Sequence, residues 1–273
     1  MKLPMKLAAQ LPSVAPLLQY RGFILSSVRR EFHARYQHSV LGSAWALLVP
    51  LAMIFVYTVI FSGIMHARLR GHTSPFAYSI YLCAGLLTWG LFAEISTRAQ
   101  TVFLENANLI KKVHFPRICL PTIVVLTALI NFAIIFSLFT AFLVVSGGFP
   151  GWPFLGLLPP LALLVLLAIS LGVVLGILNI FFRDVGPFFS VFLQFWFWLT
   201  PIVYPATIVP PFLRPILALN PLGTLVDAFH RVLVEGSWPD WGRLTFPLAC
   251  DAALLLFALS LYRKRASEMV DEL

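Results

Sequence analysis

Residues 118–146 contain no Asp, Glu, Lys or Arg. About 20 apolar residues in helical form cross the hydrocarbon core of a bilayer. Water is absent there, so only a helix or a closed barrel satisfies its own backbone polar groups. Five further apolar runs lie at about 40–65, 76–97, 158–182, 187–204 and 245–262. Charged residues make up 11% of the chain and mean hydropathy is +0.91. A soluble domain carries roughly 25% charged residues and could not hide this much apolar surface from water. The expectation is an all-α integral membrane chain with six transmembrane helices.

The net charge of +8 does not point to nucleic acid, because the basic residues flank the apolar runs, where topology explains them. Of the 19 Lys and Arg residues, 14 fall before the first run, in the second and fourth connections or after the last run, and five fall in the other connections. That asymmetry places both termini in the cytoplasm. Cys83, Cys119 and Cys250 share no metal or redox spacing and read as packing residues. Pro4, Pro12 and Pro16 interrupt the apolar character of the first residues, so no cleaved signal peptide is expected. Six scattered histidines lack metal spacing, and no nucleophile elbow is present.

Residues 17–37 place Tyr20, Ile24, Val28, Phe32 and Tyr36 at four-residue intervals, with Arg29, Arg30 and Arg35 among the polar remainder. This predicts a basic amphipathic helix at the membrane interface. It serves either as an anchor or as a gate receiving an anionic lipid-linked substrate. The segment Thr97–Phe115 is too polar to span, and Pro116 stops its helix. It either connects two spans along the headgroups or docks on a partner protein. Between 205 and 235 the chain is apolar but studded with prolines, so it cannot be one straight span. Two short re-entrant pieces are expected.

Aromatic rings suit the C–H faces of sugars, while hydroxyl and amide groups suit their oxygens. Ser190, Gln194 and Trp198 form a polar-aromatic stripe on the fifth run and are the leading channel-facing candidates. Phe188, Phe192, Phe195 and Leu199 lie on another face, suited to lipid or packing. Tyr57, Thr58, Trp89, Phe92 and Tyr204 are weaker channel candidates. Gly172 and Gly176 permit a close helix contact. Glu94 and Arg98 are spaced for an i,i+4 pair.

Five stretches, in order, carry a resemblance: "ARYQHSVLGSAWALLVPLAMIFVYTVIFS", "NLIKKVHFPR", "FFRDVGPFF", "LTPIVYP" and "LNPLGTLVDAFHRVL". Together they resemble the membrane subunit of bacterial ABC exporters of surface polysaccharides, a family that includes O-antigen, capsule and teichoic-acid permeases. The wording of the first two is closer to the O-antigen branch. The resemblance implies a six-span subunit that forms a homodimer and binds two copies of a separate ATPase. It implies an N-terminal segment 1–39 with an interface helix, a transmembrane domain 40–262 and a cytoplasmic tail 263–273. Within that domain it implies a coupling helix at about 98–117, where Glu105, Asn108, Lys111, Lys112, Phe115, Pro116 and Arg117 would meet the ATPase. Arg183 and Asp184 would be a second contact. Arg29, Arg30, Arg35 and Tyr36 would guard the substrate entrance. No phosphate-binding loop occurs in the sequence. No cofactor is therefore expected in this chain, and ATP and Mg are expected on the partner ATPase.

Two rivals remain at this stage. One is a related permease for a drug or small lipid. The other is an integral-membrane enzyme acting on lipid-linked sugars, which would need a carboxylate or histidine cluster at one membrane face. A secondary transporter would show internal repeats and charged relays within its spans, and neither is evident.

Overall fold

The structure, a computed structural model, describes residues 15–36, 44–60, 75–112, 115–265 and 268–272. All regular structure among them is helical. The helices are α1 (Ala15–Gln19), α2 (Arg21–Tyr36), α3 (Trp45–Tyr57), α4 (Ala77–Glu105), α5 (Ala107–Lys112) and α6 (Cys119–Val145). They continue as α7 (Leu158–Phe181), α8 (Val185–Trp198), α9 (Arg214–Ala218), α10 (Pro221–Leu233), α11 (Trp241–Arg265) and α12 (Glu268–Glu272).

Four helical stretches are long and apolar enough to cross a membrane: Ala77–Glu105, Cys119–Val145, Trp152–Phe181 and Trp241–Arg265. Two of the six anticipated spans are shorter apolar helices, Leu47–Ile60 and Val185–Trp198. At 1.5 Å per residue, the 14 residues of α8 reach only about 21 Å, against a core of about 30 Å. Pro201 and Pro205 follow within a few residues, and the chain leaves α8 as an irregular strap. The sequence beyond Ile60 that would lengthen the first span lies outside the described residues.

The centre of the bundle is the parallel pair α4 and α7. A methyl group built on Gly172 would lie 2.5 Å from Ala99 Cβ, and one on Gly176 would lie 2.7 Å from the Ala99 carbonyl oxygen. Only glycine allows this approach, as the spacing of the two glycines anticipates. Helix α6 closes one flank of α4, and α11 lies along α7. Phe92, Phe139, Leu164 and Phe229 are among the fully buried side chains at their meeting.

Two ends of the bundle are distinct. At the end called basal here, Met269 of α12 is buried among Val102, Phe103, Leu120, Ile177 and Ile180. Helix α2 seats Ile24 and Val28 on Cys119 and Ile123 of α6 at that same end. At the far end a short 3-10 helix, Trp152–Leu157, precedes α7. It starts at Gly151, whose φ of 70° is a left-handed conformation suited to glycine. Gly156 there packs against Trp238 and Pro239.

The proline-rich region contains a short 3-10 turn, Ala206–Ile208, and two α-helical pieces, α9 and α10, joined at Asn220. Helix α10 is the buried one: nine of its residues are buried, including Leu222, Leu225, Phe229 and Val232. It packs on α4, α7 and α11 at the far end. Asn220 caps it, accepting from the Leu222 N–H at 3.1 Å.

Candidate coupling surface and transport path

The segment expected to form one polar helix over 98–117 is divided. Residues up to Glu105 extend α4, because Val102 and Phe103 find a buried apolar seat against α6 and α7. Asn106 then ends α4, its Nδ2 donating to the Val102 carbonyl at 2.8 Å. Its own carbonyl accepts from Leu109 and Ile110, both at 3.0 Å, and so starts α5. Glu105, Asn108, Lys111 and Lys112 are exposed, while Leu109 and Ile110 pack back onto the bundle. Phe115 is half-buried and meets the ring of Phe23 at 5.5 Å. The Pro116 carbonyl accepts from Cys119 at 2.9 Å and begins α6, with Arg117 half-buried beside it.

Arg183 and Asp184 are exposed in the turn between α7 and α8. That turn lies at the basal end, where a methyl group on Gly186 would stand 3.0 Å from Gln100 Nε2. Both expected ATPase contacts therefore share one end of the molecule. Arg29 and Arg30 are exposed on α2, at the same end. Arg35 and Tyr36 belong to the last turn of α2, and their side chains fall outside the described set.

The expected channel residues fall into two groups. Ser190, Gln194 and Trp198 are exposed along α8. The Ser190 hydroxyl donates to the Gly186 carbonyl at 3.1 Å. Tyr204 donates to the Trp198 carbonyl at 2.6 Å, and a groove of about 280 Å³ opens beside them, lined also by Leu199, Ile208 and Leu213. Phe92, by contrast, has no exposed surface and meets Trp196 edge-on at 5.1 Å. Trp89 is half-buried between Phe92 and Phe197. The Thr58 hydroxyl donates to the Ile54 carbonyl of its own helix, and the Tyr57 carbonyl faces Ser79 Oγ at 3.5 Å.

The buried line of α8 is Phe189 and Leu193, with Trp196 partly covered. It belongs to neither the polar stripe nor the apolar face expected from sequence. Nearly every position of α8 is apolar, so periodicity gave no signal. Phe188, Phe195 and Trp198 remain more than 60% exposed within the single chain.

Sequence reasoning also missed three polar groupings. Glu31 of α2 forms an ion pair with Arg98 of α4 and lies 3.1 Å from Thr127 Oγ1 of α6. Arg98 also faces Glu94 at 3.5 Å, the i,i+4 pair expected from their spacing, while the Asn131 donation to Glu94 at 2.9 Å was not foreseen. At the far end Tyr78 donates to the Val203 carbonyl at 2.9 Å, and the Tyr81 hydroxyl lies within hydrogen-bonding distance of the Pro201 and Tyr204 carbonyls. Asp251, in the middle of α11, is fully buried. The alternation of charged and hydroxyl residues within spans was the available signal, but it does not reveal partners on other helices. No cluster of three or more His, Cys, Asp or Glu residues that could hold a metal occurs among the described residues.

Comparison with known proteins places this architecture. The family model of ABC-2 type transporters matches residues 23–234. The O-antigen export system permease protein RfbA of Myxococcus xanthus is 32% identical over 264 residues, covering 95% of this chain and 98% of that protein. A protein of the same name from Klebsiella pneumoniae is 29% identical, covering 76% of this chain and 78% of its own. The polysialic acid transport protein KpsM of Escherichia coli is 25% identical, covering 88% and 92%. The family match runs from α2 through α10 and so takes in the bundle, the exposed α4–α5 elbow and the buried proline-rich region: the chain is an integral membrane protein of the ABC-2 type transporter family.

Proposed function

We propose that this chain is the transmembrane subunit of an ATP-driven exporter of a lipid-linked polysaccharide, O-antigen-like in the first instance, with capsule or teichoic acid as the nearest alternatives. The observation that carries this reading is end-to-end similarity to an O-antigen export permease, at 32% identity over 95% of the chain. Two similar relatives of a second type are named for polysialic acid transport, a capsule-like cargo, and keep that branch in view.

In this reading the chain has six spans, with α3 and α8 completed by flanking residues, and lies in the bacterial inner membrane with both termini in the cytoplasm. The concentration of Lys and Arg at the basal end supports that orientation. Residues 1–39 carry the interface helix, 40–262 the transmembrane domain and 263–273 the tail. The elbow of about 98–117 docks in an ATPase subunit through Glu105, Asn108, Lys111, Lys112, Phe115, Pro116 and Arg117, and Arg183 and Asp184 add a second contact. ATP and Mg belong to that partner.

A second copy of the chain covers the open face of α8, and two ATPase copies complete the assembly. The large exposed aromatics Phe188, Phe195 and Trp198 support this, since apolar surface of that extent is covered by lipid or protein. The anionic linker of the substrate enters beside Arg29, Arg30, Arg35 and Tyr36. The glycan then passes Ser190, Gln194, Trp198 and Tyr204, with Tyr57, Thr58 and Trp89 behind them and Phe92 as their buried support.

The test is deletion of the gene, with surface and internal glycolipids separated and compared. Loss of one surface glycan with build-up of its lipid-linked form inside is the expected result. An unchanged surface glycan with no internal build-up, in a strain lacking any second exporter, overturns the reading in favour of a drug or small-lipid permease.

A further inference from the structure

Asp251 has no exposed surface, and neither of its carboxyl oxygens has a hydrogen-bond partner. It stands ten residues from the start of α11 and 14 from its end, about 15 Å and about 21 Å along the helix. It shares one buried stripe with Leu244, Pro247 and Ala258. That stripe faces α7, the helix that lies along α11.

Contacts near both ends fix the register of the two helices. A methyl group on Gly156, just before α7, would lie 2.8 Å from the Cδ of Pro239, just before α11. At the basal end the Arg265 guanidinium lies 5.6 Å from the centre of the Phe181 ring. This register sets Asp251 level with Leu167 and Ala168, within one turn of Ser170. Ser170 lies on the side of α7 turned away from Gly172 and Gly176, and it is buried with no partner for its hydroxyl. Only Ser170 and Asn179 carry polar side chains on α7, and Asn179 donates to the Gln100 carbonyl. Two orphaned polar groups thus share one level on two neighbouring helices.

Among the described residues no cation balances Asp251. Helix α7 carries no titratable side chain. On α10, Asp227 faces Arg243, His230 faces the Tyr81 carbonyl, and Arg231 faces Glu235 and Asp240, all at the far end. On α11 the cations Arg243, Arg263, Lys264 and Arg265 sit in the first and last turns, and the other titratable groups are Cys250 and Tyr262. On α12, Glu268 and Glu272 are exposed at the basal end. An unpaired carboxylate at this depth in hydrocarbon is so costly that the group takes up a proton instead. The acid then has one O–H to donate and a carbonyl oxygen to satisfy, and a serine hydroxyl can do both. We propose that Asp251 is a proton-binding site of the membrane domain: with Ser170 it latches α11 to α7 as a neutral acid, and it gives its proton to water only when the two helices part. Closing the contact again requires the proton back, so alkaline pH loosens α11 from α7. The latch works in the same way whatever the cargo.

The experiment takes the full chain in lipid nanodiscs, with its aspartates isotope-labelled at the carboxyl carbon, and records the infrared carbonyl band of protonated carboxyl groups. At a pH of about 7.5, where exposed carboxyls are ionised, the wild type should show one such band. It should vanish in Asp251→Asn and shift in Ser170→Ala. A band missing from the wild type, undiminished in Asp251→Asn or unmoved by Ser170→Ala overturns the proposal. A second measurement compares the wild type with Asp251→Asn, which is neutral at every pH, by unfolding in denaturing detergent. Between about pH 5.5 and 7.5 the unfolded chain has shed this proton and the folded chain keeps it, so the wild-type folding equilibrium should fall roughly tenfold per pH unit relative to the variant. A ratio that does not change with pH overturns the proposal as well. Should Asp251→Asn not fold, the infrared bands of the wild type and Ser170→Ala decide.

Discussion

The imidazole of His230 lies on the ring of Tyr81, with centroids 3.7 Å apart and planes 21° apart. Its Nε2 lies 3.0 Å from the Tyr81 carbonyl, which can only accept, so that nitrogen carries the proton. The pair joins α10 to α4, and the strap residue Ile202 is fully buried beside it. His230→Ala removes the ring contact and the hydrogen bond together. It should cost about 2–4 kcal/mol, read as a lowered unfolding temperature of the purified protein in detergent.

Gly172 and Gly176 meet the same residue of α4 by different atoms, which separates their repair. Gly172→Ala drives a methyl into the Ala99 side chain, and Gly176→Ala drives one into the Ala99 carbonyl. Each should destabilise by about 1–3 kcal/mol. Adding Ala99→Gly should restore much of the loss in the first and none in the second. Thermal unfolding of the four variants checks this.

Asn220 serves four neighbours, the Leu199 carbonyl at 3.4 Å being the most distant. It caps α10 at Leu222, accepts from the Trp196 indole at 3.0 Å and donates to Thr200 Oγ1 at 2.9 Å. Asn220→Ala should cost at least about 1–2 kcal/mol for the cap alone, with more from the orphaned indole. Altered fluorescence of Trp196 should accompany the loss.

Two residues of α8 should fail in different assays. Phe189→Ala opens a cavity in the core and should destabilise by about 3–5 kcal/mol. Trp198→Ala removes an exposed ring. It should leave the unfolding temperature nearly unchanged while lowering glycan export. Equal loss of stability in both would remove Trp198 from the transport path.

Charge reversal of Lys111 and Lys112 to Glu tests the coupling surface. Both side chains are exposed on α5 and support no buried packing. The variant should fold as the parent does and lose co-purification of the ATPase subunit. Undiminished co-purification would remove α5 from that contact.

Much of the bundle was legible because membrane spans announce themselves by length. The expected run 118–146 became Cys119–Val145, and 158–182 became Leu158–Phe181. The close glycine contact was legible as well, since its spacing has a direct steric meaning. The elbow was less so. Its charges hid the apolar pair Val102 and Phe103, which keeps α4 helical as far as Glu105. The inward line of α8 was invisible for the opposite reason, because a helix apolar on every side does not say which side is buried. The Glu31–Arg98 pair joins residues on two different helices, and no local pattern reports such a partner.

The hydrogen bond between Tyr81 and His230 bridges 149 positions of sequence. It cannot form until the ribosome has made more than four-fifths of the chain. The contacts of α2 with α6, by contrast, need only the first half. The α2–α6 contact is therefore available early in synthesis, whereas the strap around Ile202 waits for α10 and the basal seat of Met269 waits for α12. A translation product interrupted before α10 would hold the α2–α6 contact but lack the closing residues of both ends, His230 above and Met269 below.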